Sequence, residues 1–73
     1  MIKLLSMSER IRIILKRKKM TISDLASMIE TSSQNLSNKL TRNNFSEQEL
    51  HKIAEAFDCQ FEGFFFFKNN EKL

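Results

Sequence analysis

Apolar residues return along most of this chain at helical spacing rather than by strand alternation. Ile11, Ile14 and Leu15 stand at i, i+3 and i+4, Lys18 completes the row at i+7, and Ile13 lies off it. The pattern predicts a helix over residues 7–19, capped by Ser6 with Glu9 or else by Ser8. Leu25, Met28 and Ile29 repeat the spacing behind Thr21, which with Asp24 makes a second capping box, and Met20 and Leu25 stand at the ends of a hydrophobic staple. This short helix is predicted to stop near Ile29. A third helix starts at Ser32 or Ser33 and carries a narrow stripe of Leu36 and Leu40. The fourth has the best local signal: Ser46 caps, Glu49 closes the box, and Phe45 staples against Leu50. Leu50, Ile53, Ala54 and Phe57 form its buried face, with an end near Asp58. Ahead of it, Asn43 and Asn44 tolerate the left-handed turn conformations that Gly would otherwise supply.

After Cys59 the pattern changes. Residues 60–68 read as a short strand or extended tail, rich in Phe and interrupted by Gly63. If extended, Phe61, Gly63, Phe65 and Phe67 share one side, and Glu62, Phe64, Phe66 and Lys68 share the other. Such a strand either folds over its own bundle or pairs with the same tail of a second chain. Two apolar faces favour pairing, which makes Phe64, Phe65, Phe66 and Phe67 the expected dimerisation residues of a homodimer. The chain is thus expected to divide into a helical unit, residues 1–59, and a Phe-rich tail, residues 60–73.

Length narrows the function. A chain of 73 residues buries only about 60% of its unfolded surface, enough for one small core and no deep substrate cleft beside it. The expectation is therefore no enzyme and no small-molecule substrate. One Gly and no Pro argue against turn-rich sandwiches and barrels. A single Cys and a single His exclude a disulfide framework, a zinc cluster and a catalytic triad, so no metal and no cofactor is expected. Cys59 reads as a small packing residue, His51 as a partly exposed helical one, and Met7, Met20 and Met28 as core gap fillers. Met1, Ile2, Leu4 and Leu5 form no unbroken signal-peptide core, and no run approaches membrane-spanning length. A reducing cytoplasm is the expected compartment, with no membrane partner.

Charge is unevenly shared. Residues 1–42 hold nine Lys and Arg against three acids, a net of +6, while residues 43–73 hold three against six, a net of −3. The first half is therefore expected to face a polyanion. Lys16, Arg17, Lys18 and Lys19 form its densest cluster and suit either general attraction to a duplex or the negative end of the first helix. The third helix adds a more specific signal. Ser33, Gln34, Asn35, Ser37 and Asn38 crowd it with short hydrogen-bonding groups of indifferent helix propensity, a composition that suits another polar surface. Gln34 and Asn38 can each present a donor and an acceptor to adenine N6/N7, and Ser33 and Ser37 reach either partner type. Lys39 and Arg42 flank that strip and can neutralise phosphates, and the helix starts at Ser23 and Ser33 offer backbone N–H groups.

The spacing of the second and third helices ties these features together. Leu25-Ala26, a break around Glu30-Thr31-Ser32, and then Leu36 place a small residue inside the angle of two short helices, as a helix-turn-helix requires. Over residues 8–61 the order of elements resembles the Cro/repressor-type (lambda-repressor-like) helix-turn-helix family, through Ile11, Ile14, Met20-Thr21, Leu25-Ala26, Ile29, Ser32, Leu36, Leu50, Ile53-Ala54 and Phe57. The resemblance implies an all-α bundle of four to five short helices, here followed by the strand or tail. It also implies a sequence-specific regulator of double-stranded DNA, by analogy a repressor, with the helix over about residues 33–40 in the major groove. Base contacts would fall to Ser33, Gln34, Ser37 and Asn38, and phosphate contacts to Thr21, Ser23, Thr41, Arg42 and Asn43, beside Lys39. Three positions depart from the family: Ile22 replaces a frequent Gln, Thr31 an apolar residue, and Glu30 the usual turn Gly. A left-handed Glu30 would cost about 1–2 kcal/mol, so a remodelled turn is expected. The alternatives are a protein-interaction or antitoxin-like subunit using the same fold and, more remotely, a peripheral membrane binder.

Overall fold

The computed structural model describes residues 5–73; Met1, Ile2, Lys3 and Leu4, among them three of the apolar residues weighed as a signal-peptide core and one of the basic residues, lie outside the described residues. Four helices, α1 (Met7–Arg17), α2 (Ile22–Met28), α3 (Ser33–Arg42) and α4 (Glu47–Ala56), precede two short strands, β1 (Gln60–Phe61) and β2 (Phe65–Phe66). Each helix opens on a hydroxyl residue in extended backbone: Ser6, Thr21, Ser32 and Ser46. At Ser6, Thr21 and Ser46 the acid three residues on returns the bond, closing all the capping boxes expected from sequence. Each cap contributes about 1 kcal/mol, which matters for helices this short.

The four helices also end alike. Lys19, Glu30, Asn43 and Asp58 take left-handed backbone, with φ of 55°, 59°, 52° and 56°. One residue further on, the N–H of Met20, Thr31, Asn44 and Cys59 reaches back to the carbonyl of Leu15, Ala26, Lys39 and Ala54, at 2.9 to 3.1 Å. That bond satisfies a carbonyl the helix end would otherwise leave open and reverses the chain sharply. The expected remodelling at Glu30 therefore does not occur, because the closing bonds hold the turn in left-handed form without a glycine. The first helix also stops two residues earlier than its pattern predicts, since Lys19 belongs to this turn.

Ile11, Ile14 and Leu15 of α1, Leu25 and Ala26 of α2, Leu36 and Leu40 of α3, and Leu50, Ile53, Ala54 and Phe57 of α4 or its end meet in one core. Met7 and Met20 pack against it, but Met28 is 56% exposed and does not fill the core as expected. The buried face of α2 centres on Leu25, Ala26 and Ile29, and helical geometry turns Met28 away from that face. Burial pushes the Cys59 thiol above its ordinary value, which suits a packing residue and not a nucleophile.

The Phe-rich tail folds back on its own bundle. β1 and β2 pair antiparallel, Phe61 opposite Phe65 and Gln60 opposite Phe66, around Gly63 at φ 78°. On its other edge β2 meets residues 71–73: Phe65 and Leu73 exchange N–H···O bonds of 2.8 and 3.0 Å, and Phe67 N–H donates to the Glu71 carbonyl at 2.9 Å. Both edges of the Phe strand are thus taken within the chain, which corrects the reading of it as an open strand awaiting a second tail. The side-chain alternation is as expected: Phe61 and Phe65 are buried and Phe67 half-buried, while Phe64 and Phe66 face outward at 38% exposure. The Phe65 ring lies 5.9 Å from Phe57 and 5.0 Å from Phe61, centroid to centroid, so it is a core residue.

Two outcomes follow from this packing. Phe65→Ala should destabilise the fold by about 3–5 kcal/mol in chemical denaturation, whereas Phe64→Ala should change it by less than about 1 kcal/mol. Glu30→Gly should stabilise by about 0.5–1 kcal/mol, because glycine takes left-handed backbone without penalty. A loss of stability would mean that the Glu30 side chain holds the turn by itself.

Candidate nucleic-acid interface

Sequence decides which side of α3 faces out. Leu36 and Leu40 are buried, 1% and 3% exposed, and the 3.6-residue repeat then carries Gln34, Asn38 and Thr41 to the far side. All three are exposed, with Arg42 and Ser33 also open and Ser37 half-buried on one flank. Of the four expected base-reading residues, Gln34 and Asn38 thus face outward, Ser33 is open at the start of the helix and Ser37 borders them half-buried. Two are already linked: Gln34 Nε2 donates to Asn38 Oδ1 at 3.1 Å. The Gln34 carbonyl oxygen and the Asn38 amide hydrogens remain directed to other partners, one acceptor and one donor set side by side.

The angle between α2 and α3 depends on Ala26, 1% exposed, whose lack of a larger side chain lets the helices close on each other. Asn35 steadies the start of α3: its N–H donates to Ser32 Oγ at 3.1 Å and its Nδ2 to Thr31 Oγ1 at 2.8 Å. Thr31 therefore replaces the family's apolar residue with a hydrogen bond. No acid lies in the first turn of α3, so no carboxylate within the helix offsets its positive pole.

The expected phosphate-binding residues are less uniform. Thr21 and Ser23 are exposed at the start of α2, but Asp24 stands in the same turn. Hydrogen bonding from the Thr21 backbone holds the Asp24 carboxyl below its ordinary range, so a negative charge stands in the first turn of α2 beside Thr21 and Ser23. Thr41 Oγ1 donates to the Ser37 carbonyl at 3.0 Å, which engages its only hydrogen within the helix. Asn43 Oδ1 accepts from the N–H and the hydroxyl of Ser8, both at 3.0 Å, and so clamps the end of α3 to the start of α1. Lys39 Nζ lies 2.7 Å from Glu49 Oε2 on α4. Ser23 and Arg42 are exposed with no side-chain partner in the described ion pairs and hydrogen bonds, and Arg42 is the cation of the two.

A family model described as the Cro/C1-type HTH DNA-binding domain matches residues 10–68. The chain belongs to the Cro/C1-type helix-turn-helix family. No curated protein and no solved structure matches it. As a Cro/C1-type domain it is a DNA-binding regulator, and the matched stretch takes in both the helix pair and the hairpin that follows. Among the described residues no helix is long and apolar enough to cross a membrane, and no three His, Cys, Asp or Glu converge as a metal site.

Two residues do more than their local sequence indicates. Asn43 is a turn former by its type, yet its carboxamide also joins α3 to α1; Glu49 is a cap by its position, yet its second oxygen joins α4 to α3. Neither tie has a local pattern, because the partners lie 35 and ten residues away. The basic cluster is also partly redirected. Arg17 Nη1 pairs with Glu71 Oε2 at 2.9 Å, Lys18 lies over the Phe67 ring, and Arg10 lies over Phe64 while donating to the Gly63 carbonyl. Arg10 and Arg17 of α1 and Lys18 just after it thus hold the carboxy-terminal tail.

Proposed function

We propose that the protein is a sequence-specific repressor that inserts α3 into the major groove and occludes the DNA it occupies. The observation that carries this reading is the outward amide-and-hydroxyl surface of α3, Ser33, Gln34, Ser37 and Asn38, with Arg42 beside it. Gln34 and Asn38 act as one unit. Their mutual bond leaves an acceptor and a donor that match adenine N6 and N7, so they recognise one base step together. Arg42 and the open N–H groups at the start of α3 hold phosphates and set the register of the helix on the duplex.

The protein acts as a homodimer on DNA. A two-fold pair presents two copies of α3 about 34 Å apart, one helical turn of the duplex. Phe64 and Phe66 supply the contact: their rings lie 6.4 Å apart and edge-on, outward on the hairpin, with Arg10 and Lys72 stacked on Phe64. Phe65 belongs to the core, so the contact is probed by substituting Phe64 and Phe66 and not by removing the tail.

Selection of binding sites from random duplexes should yield one preferred site. On it, Gln34→Ala and Asn38→Ala should each cost about 1–3 kcal/mol while leaving binding to random DNA nearly unchanged. Because the two amides work as a pair, the double variant should lose less than the sum of the single losses. Equal losses on random DNA, or a strictly additive double variant, would defeat the paired reading. For the dimer, Phe64→Ser with Phe66→Ser should abolish cooperative filling of a two-half-site duplex in gel-shift titration and leave one-half-site affinity unchanged. Cooperativity that survives both changes assigns the contact to another surface.

A further inference from the structure

The ion pair between Lys39 and Glu49 differs from the other ion pairs among the described residues. Its side chains are 29% and 32% exposed, whereas the Arg17–Glu71 and Lys68–Asp58 pairs are 54% to 85% exposed. Both Glu49 oxygens are engaged: Oε1 accepts the Ser46 N–H at 3.0 Å, and Oε2 meets Lys39 Nζ at 2.7 Å. The Lys39 hydrogen bond holds the Glu49 carboxyl below its ordinary range, against the effect of burial. Lys39 is fixed through its backbone as well, since its carbonyl accepts the Asn44 N–H at 3.1 Å where α3 ends. The residue next to the base-reading Asn38 is therefore held at its backbone by the end of α3 and at its ammonium by the start of α4.

From this geometry we infer that Lys39 neutralises no phosphate and is instead a positioning residue, and that Glu49 is its partner in fixing the angle at which α3 is presented. Two leucines give α3 a narrow buried stripe that resists sliding but not rocking. The Lys39–Glu49 pair restrains rocking on the α4 side, as Asn43 with Ser8 does on the α1 side. A charge already paired inside the protein releases no counterion from DNA, so it leaves no mark on the salt dependence of binding. The inference rests on the major-groove reading of α3, but it removes one residue from the phosphate contacts that reading began with.

The experiment compares Lys39→Met, Glu49→Gln, the double variant and Lys39→Arg, measuring affinity for the selected duplex and for a random duplex across a salt series. Methionine keeps the apolar stem of Lys39, and glutamine keeps an oxygen for the Ser46 N–H, so the helices are retained. Lys39→Met should leave the slope of log affinity against log salt unchanged and lower the preference for the selected duplex about fivefold, with Lys39→Arg restoring it. Glu49→Gln frees the ammonium: the slope should steepen by about 0.9, one phosphate contact, while random-duplex binding tightens. Adding Lys39→Met should return the slope to that of the parent protein. A slope shallower by about 0.9 in Lys39→Met, with sequence preference intact, would overturn the inference and make Lys39 a phosphate ligand. Should the parent protein show no duplex preference at all, the proposed function fails first, and a thermal double-variant cycle on the free protein then decides the pair. Coupling between the two positions upholds it, and strict additivity overturns it.

Discussion

Because α3 buries only Leu36 and Leu40, its outward chemistry and its orientation are decided by different residues. A helix with a broad apolar face finds its angle through packing alone, ridge into groove. With a two-leucine stripe, hydrophobic burial fixes depth and leaves the remaining surface polar, which is the condition for reading base edges. Orientation then passes to the helix ends: Ala26 and Asn35 at the start, Asn43 and Lys39 near the finish. The polar ties lie off the outward face, so Gln34 and Asn38 remain presented without being needed for the fold. Stability and recognition can vary separately in such a helix.

The charge asymmetry has the same double character. An excess of cations over residues 1–42 and of acids over residues 43–73 suggests a division between a part that faces a polyanion and an acidic part that does not. Much of it is instead complementarity within the bundle. Arg17 with Glu71 and Lys39 with Glu49 join cations of the first half to acids of the other, and Arg10 and Lys18 cover aromatic rings of the hairpin. Exposed pairs of this kind are weak singly, but they align the tail with α1, where Phe61, Phe65 and Phe57 provide the burial. In the proposed major-groove reading, attraction to DNA is thereby left to fewer cations than a count suggests, with Arg42 foremost among those near α3.

Local rules made most of the fold legible. Hydroxyl caps with acids three residues on gave the start of α1, α2 and α4, and the apolar repeats named the core residues of the helices, with Met28 of α2 wrongly among them. The helix ends were harder to read, because the signal expected for a left-handed closing residue is Gly or Asn, and Lys19, Glu30 and Asp58 carry neither. Their conformation is imposed by the reversal of the chain and the bonds that close it, a tertiary demand that overrides residue preference. For the interface, the outward set on α3 followed from the leucine spacing. What sequence could not supply were the competing duties of Thr41, Asn43 and Lys39, since a side chain's availability depends on partners in other elements. Alternation in the tail correctly separated Phe65 and Phe61 from Phe64 and Phe66, yet it is silent on whether a strand's edges are free. Residues 71–73, which carry no strand signal, closed that edge.

That closure constrains how the proposed homodimer works. With no open edge on β2, two copies cannot join by backbone hydrogen bonds there, and the contact reduces to the outward rings of Phe64 and Phe66 with their cationic surround. Two rings already more than half covered add little further burial, while association costs at least about 4 kcal/mol in lost freedom. A pair held by this patch alone is weak in solution. On a duplex with two half-sites the balance changes, because the first bound copy holds its partner at a high effective concentration and the ring contact then closes within one complex. Weak self-association is therefore compatible with steep, cooperative occupancy: the DNA, not the tail, supplies most of what brings the copies together.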